Sequence, residues 1–163
     1  MTEEEYINSN RQWADDAMRF AVRVCNDRAE CEDAVQEALI SLWQHHGEVS
    51  EAKGKGYLMG AVYRQLMMYF RRQGYDRRYS EDTQQMTQEP DTGFDVRDAI
   101  ELALQSLSEV QRAVLQLRDV EGYTYHDIGE TLKLTDDQVQ VYLFRARVAM
   151  RKQLKTMGYD EYK

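Results

Sequence analysis

The chain has 163 residues, of which 42% are apolar and 31% charged, with a single proline and a formal net charge of −8. This is enough apolar material for a core in one domain or two small ones, and it points to a helical soluble protein. A membrane span is excluded because no run of about 18 apolar residues occurs. The Met-Thr-Glu-Glu-Glu start lacks the basic and apolar stretches of a secretion signal, so a cytoplasmic location is expected.

The first helix is predicted from Glu3 to Val24, with Trp13, Ala17, Phe20, Ala21 and Val24 as its apolar stripe. Asn26 and Asp27 interrupt it. Asp27 with Glu30 reads as a capping box opening a second helix to about residue 46. Ala34, Val35, Ala38, Leu39, Leu42 and Trp43 give that helix its apolar face, and Glu30, Asp33, Gln36, Glu37 and Gln44 a polar one. Cys25 and Cys31 are the only cysteines. Reduced packing residues are the expected reading, with a redox pair as the alternative.

Residues 47–56 are expected to form a loop, with glycines at 47, 54 and 56 and lysines at 53 and 55. A third helix is expected over 57–73. Leu58, Val62, Leu66 and Phe70 form one face, while Met59, Tyr63, Met67, Met68 and Tyr69 fall elsewhere. A helix apolar nearly all round is either central in a bundle or carries a face for a partner.

From 74 to 95 the periodicity fails. Residues 74–98 hold 3 basic and 7 acidic side chains, half of the net charge, and include the only proline. Such a composition buries too little apolar surface to order itself, and a flexible acidic linker is predicted. A second helical domain then runs over 96–157, followed by a frayed tail at 158–163. Its first stripe is Ile100, Ala103, Leu104 and Leu107, and Ser108 with Gln111 is a capping box for the next helix.

The last two helices are joined by a tight turn. Thr124 caps the first, whose apolar face is Ile128 and Leu132, and Leu134 fills the turn. Thr135 with Gln138 opens the longer second helix, where Val139, Leu143, Ala146 and Met150 form one buried stripe. Gln138, Tyr142 and Arg145 lie on a different face. This is how a helix-turn-helix offers a recognition helix to the major groove, although a buried helical hairpin has the same pattern. The basic residues Arg145, Arg147, Arg151, Lys152 and Lys155 cluster along the final helix. The acidic balance elsewhere predicts weak DNA affinity for the isolated chain. His45, His46 and His126 are not spaced as a metal set, and no nucleophile motif or phosphate loop occurs, so neither an enzyme nor a cofactor is expected. His45 and His46 are expected to cap the second helix near its C-terminal dipole.

Two segments together resemble one family. Glu-Cys-Glu-Asp-Ala-Val-Gln-Glu-Ala-Leu-Ile-Ser-Leu-Trp at 30–43 is similar to the second-region signature of bacterial RNA polymerase sigma factors of the extracytoplasmic-function type, in the sigma-70 family. That signature reads D-A-E-D-L-V-Q-E-x-F-x-x-L-W. Residues 107–115, then Glu121-Gly122-Tyr123-Thr124-Tyr125 and the helix-turn-helix, resemble the fourth region, with its L-P-x-x-Q-R-x-V-x-x-L and E-G-x-S-Y-x-E-I-A patterns.

The resemblance implies an all-α fold of two small domains, a three-helix region 2 over 1–73 and a four-helix region 4 over 96–157. It implies a promoter-specificity subunit that directs promoter recognition, promoter opening and transcription initiation. Asp33, Gln36 and Glu37 match positions that contact the beta-prime clamp helices of core polymerase. A carboxylate-bearing helix face suits a basic partner, although it is otherwise read as a solvated face. Lys53, Lys55, Tyr57, Met59, Tyr63, Arg64, Met67, Arg71 and Arg72 would hold the opened −10 element, since flipped bases need aromatic or apolar walls and nearby cations. Gln138, Gln140, Val141, Tyr142 and Arg145 would read the −35 element, with Arg147 and Arg151 toward phosphates. Sequestration by an anti-sigma factor is a further implication.

The chain departs from the family pattern at Gly54, Arg64, Met68, Gln140 and Tyr142, and Asp136 and Asp137 open the recognition helix. Two alternatives stand beside this reading: a free-standing helix-turn-helix regulator, and a polymerase-binding interaction protein without promoter-selective activity.

Overall fold

The computed structural model describes residues 1–84 and 95–159. Seven α-helices are present among the described residues: α1 (Glu3–Val24), α2 (Arg28–Gln44), α3 (Glu51–Gln84), α4 (Val96–Gln105), α5 (Glu109–Leu115), α6 (Tyr125–Leu132) and α7 (Asp136–Thr156). No described helix is long and apolar enough to cross a membrane. Capping sets most of these boundaries. Full capping boxes form at Thr2 with Glu5, at Ser108 with Gln111 and at Thr135 with Gln138. Asp27, Asp95 and Thr124 each accept one backbone N–H in the first turn of their helices.

The loop expected at 47–56 is mostly absent. A single 3-10 turn covers His46–Glu48, and α3 starts at Glu51. Gly54 misleads a sequence reading because it is inside the helix for a packing reason. A Cβ there would lie 2.6 Å from the Trp13 ring and 2.6 Å from the Met1 methyl, so only glycine lets α1 approach so closely. At its other end α3 continues to Gln84, so the linker predicted from residue 74 overlaps the helix. The added stretch, residues 74–84, contains no proline, so no residue in it breaks the helix, although Gly74, Asp76, Ser80, Asp82 and Thr83 lower its propensity and led the sequence reading to end the helix at 73. The remainder of that linker, 85–94, and the tail residues 160–163 lie outside the described residues.

The helix-turn-helix has the geometry expected of it. Lys133 ends α6 in the left-handed region at φ 59°, and the Leu134 N–H donates to the Gly129 carbonyl at 2.9 Å. Between α5 and α6 a π turn over Gln116–Val120 leads into Gly122 at φ 73°. That turn swings Glu121 toward α1.

Packing joins the two halves. Ala17, Phe20, Ala21, Val24, Leu42, Leu58, Val62 and Leu66 belong to the same buried cluster as Ala113, Val114, Leu117, Ile128, Val139 and Leu143. A second, smaller cluster holds α4 against α7 through Ala99, Ala103, Leu107, Ala146, Met150 and Leu154. Both cysteines are buried thiols, and the Cys31 thiol donates to the Cys25 carbonyl at 3.2 Å. The adjacent Cys25 and burial push the Cys31 thiol far up, the condition of an inert packing residue.

Candidate functional site

Three surfaces carry the residues singled out from the sequence. On α2, Asp33, Gln36 and Glu37 are all exposed and share one face, because they recur at helical spacing while Ala34, Val35 and Ala38 turn inward. Ile40, 46% exposed, continues that face one turn on. Sequence reasoning passed over it, although its spacing of seven from Asp33 was visible. At the end of α2 the His45 and His46 rings donate to the Ser41 and Trp43 carbonyls at 2.9 and 2.6 Å, so both cap the helix C-terminus.

The second surface is α3. Lys53, Arg64, Arg71 and Arg72 are exposed, and Lys55, Tyr57 and Met67 are half-buried. Tyr57 shares a hydrogen bond of 2.8 Å with Ser41. Met59 and Tyr63 correct the sequence reading for this conformation. Both are buried in the shared core and neither can touch a nucleic acid here. Burial pushes the Tyr63 phenol up to about 12, with Glu109 and Tyr142 adding to it. A cleft of about 880 Å³ opens beside this helix, lined by Lys53, Lys55, Tyr57 and Arg64 of α3 and by Asp127 and Glu130 of α6.

The third surface is the outer side of α7. Gln138, Gln140, Val141, Arg145, Arg147 and Arg151 are exposed, and Tyr142 is half-buried against the shared core. Arg147 donates to Asp119 at 2.7 Å, which partly spends its charge. Phe144 was missed from sequence, yet it is 69% exposed. With exposed Val141 and Val148 it forms an apolar stripe at spacings of three and four, opposite the buried stripe.

Charged groups cross between the halves. Arg19 of α1 grips Glu121 through both carboxylate oxygens, at 2.9 and 3.0 Å. Lys55 pairs with Asp16 at 2.8 Å and lies 3.9 Å from Glu121. Arg112 donates from Nη2 and Nε to the Val24 carbonyl and from Nη1 to the Leu107 carbonyl. Arg23 pairs with Glu101, and Lys53 lies 3.9 Å from Glu130.

The same two halves match two known sequence families. Residues 11–75 match Sigma-70 region 2, and residues 97–150 match Sigma-70, region 4. The ECF RNA polymerase sigma factor SigL of Mycobacterium tuberculosis is 31% identical over 147 residues, covering 86% of this chain and 83% of that one. The chain belongs to the ECF RNA polymerase sigma factors. The ECF sigma factor SigE of Mycolicibacterium smegmatis is 29% identical over 153 residues, covering 86% of this chain and 58% of its own. In fold the chain is similar to the sigma factor RpoE of Bartonella quintana, solved in complex with the anti-sigma factor NepR. The TM-score is 0.73 at 19% identity, covering 93% of this chain and 98% of that one. An ECF sigma factor is a transcription initiation factor rather than an enzyme. It binds core RNA polymerase and directs it to promoters.

Proposed function

We propose that this sigma factor engages core polymerase through Asp33, Gln36, Glu37 and Ile40 of α2. The observation that carries the assignment is their joint exposure on one helix face, two carboxylates and an amide around an aliphatic side chain. That mixture suits a basic partner helix such as the beta-prime clamp helices, with charge steering the encounter and Ile40 supplying apolar contact.

The opened −10 element is assigned to α3. Its exposed cations Lys53, Arg64, Arg71 and Arg72 flank Tyr57 and Met67, the combination that tracks a phosphate backbone while walling off unstacked bases. Met59 and Tyr63, buried in this structure, belong to the proposed surface only as the core that backs it. The −35 element is assigned to α7, with Gln138 and Gln140 suited to base edges and Arg145 and Arg151 to phosphates. Val141 and Phe144 are suited to thymine methyl groups. Exposed Asp136 and Asp137 stabilise the start of α7 through its dipole and repel phosphate, which makes binding by the isolated chain weak.

An anti-sigma factor is proposed as a further partner, in keeping with the complex of the structurally similar sigma factor, and the site of action is proposed to be the cytoplasm, where polymerase works. Transcription from a selected promoter by core polymerase plus this chain, compared with polymerase alone, tests the assignment. Promoter-selective transcripts are expected, and tight polymerase binding without them would favour an interaction protein instead.

A further inference from the structure

Asp33, Glu37, Ser41 and His45 follow one another at intervals of four, so they stand along one ridge of α2 and its C-cap. The first two are the carboxylates assigned to polymerase. The last two meet the phenol of Tyr57 on α3. Ser41 Oγ lies 2.8 Å from the Tyr57 oxygen, and His45 Nδ1 lies 3.3 Å from it. The same ring nitrogen donates to the Ser41 carbonyl at 2.9 Å. Its proton is therefore shared between that carbonyl and the Tyr57 oxygen, which leaves the Tyr57 hydroxyl to donate to Ser41 Oγ. The His45 and Tyr57 rings are tilted against each other with centroids 6.2 Å apart.

Tyr57 is half-buried and lines the same cleft as Lys53, Lys55 and Arg64. Packing of its ring does not call for the hydroxyl, because phenylalanine would fill the same apolar space. What the hydroxyl adds is a fixed ring orientation, anchored from a neighbouring helix. We infer that Ser41 and His45 are positioning residues for promoter opening: they hold the Tyr57 ring where it walls off an unstacked base of the −10 element.

The inference rests on the proposed assignment of α3 to that element, and it adds two side chains that act without touching DNA. An unanchored ring has to be ordered when the strand arrives. Ordering one side chain weakens binding by about two- to tenfold, and a ring already fixed by the fold avoids that loss. The clamp also ties the promoter-facing tyrosine to the ridge that carries Asp33 and Glu37.

The test removes the clamp from either side. Ser41→Ala with His45→Leu deletes the partners, Tyr57→Phe deletes the hydroxyl, and a third variant combines all three changes. Each is loaded on core polymerase with a promoter selected by the wild-type holoenzyme and carrying 2-aminopurine in its −10 element. The 2-aminopurine fluorescence reads opening, and anisotropy of the labelled chain reads polymerase binding. The opening equilibrium is expected to fall about three- to tenfold with either side removed. The combined variant is expected to fall no further than about twofold beyond them, because all three changes break one interaction. Ser41→Thr, which keeps the hydroxyl, is expected to open the promoter like the wild type. Polymerase binding is expected to stay unchanged throughout. Wild-type opening by the Ser41→Ala, His45→Leu variant would overturn the inference. So would losses that multiply in the combined variant, or a parallel loss of polymerase binding, which would mark a purely structural role. A wild-type holoenzyme that opens no promoter would instead overturn the proposed function, so the two failures are distinct.

Discussion

The guanidinium of Arg112 reaches across the molecule to the last carbonyl of α1, donating to the Val24 oxygen from Nη2 at 2.8 Å and from Nε at 3.1 Å. A helix leaves its final carbonyls without partners, and here a side chain from the other half supplies one. The same guanidinium donates from Nη1 to the Leu107 carbonyl at 2.6 Å, so one buried cation ties α1, α5 and the α4–α5 turn together. Arg112→Met keeps much of the side chain's volume and removes every donor. It is expected to cost roughly 2–3 kcal/mol, the scale for stranding buried hydrogen-bonding groups that faced a charge. Urea unfolding measures this, and a change below about 0.5 kcal/mol would show that the bonds are replaced by water.

Lys133 is a non-glycine residue at φ 59°. A left-handed conformation costs an ordinary residue about 1 kcal/mol, and glycine avoids that cost at a helix C-terminus. Lys133→Gly is therefore expected to raise the melting temperature. Gly129→Ala is expected to lower it, because a Cβ there would stand 2.6 Å from the Leu134 carbonyl that shapes the turn. Calorimetry on the two variants should give shifts of opposite sign.

The response to pH follows from buried phenols and one buried carboxyl. Burial pushes Tyr63 and Tyr123 up to about 12 from an ordinary 10.0. A group whose pKa is raised on folding contributes stability that is fully present below its unfolded value and lost as pH rises through the folded one. These two therefore cost stability between pH 10 and about 12, and not below. Ultraviolet titration of the tyrosines, followed in parallel with scattering, should show late phenol ionisation accompanied by expansion. Asp16 behaves oppositely. Burial opposes its charge, but Lys55 and Arg19 outweigh burial and hold the carboxyl below its ordinary 3.8. Its contribution is present above pH 3.8 and is lost only as pH falls through the lowered value.

Phe144 is open to solvent on α7, so Phe144→Ala should leave stability within about 0.5 kcal/mol. Polymerase-dependent promoter binding is expected to weaken by an amount matching the loss of a thymine methyl contact. Replacing thymine by uracil in the −35 element should weaken the wild-type complex and leave the variant complex nearly unaffected. Equal losses in both would assign Phe144 to a protein contact.

Helix existence and most helix starts were legible because capping is local. Ser108, Thr124 and Thr135 announce their helices within four residues. The start of α3 was not legible, because Gly54 has the composition of a loop and earns its place only by the approach of Trp13, 41 positions away in the chain. The site divides in the same way. Asp33, Gln36 and Glu37 follow from helical spacing alone. Assigning Met59 and Tyr63 to a nucleic-acid surface took one of two readings of an all-round apolar helix, and in this structure the central-helix reading describes them. Arg112 and Glu121 entered only as letters of a signature. Their partners Val24 and Arg19 lie 88 and 102 positions away, a pairing that no local pattern encodes.

The proposed function makes the exposed α2 face the handle by which core polymerase takes hold of this chain. The direct measurement is binding of the labelled protein to purified bacterial core polymerase, beside an Asp33→Lys, Glu37→Lys double variant shown by circular dichroism to be folded. Tight binding by the wild type and loss of on the order of a hundredfold or more in the variant is the predicted result, since reversed charges oppose a basic partner. Equal binding by the two proteins, or no binding by the folded wild type, would contradict it.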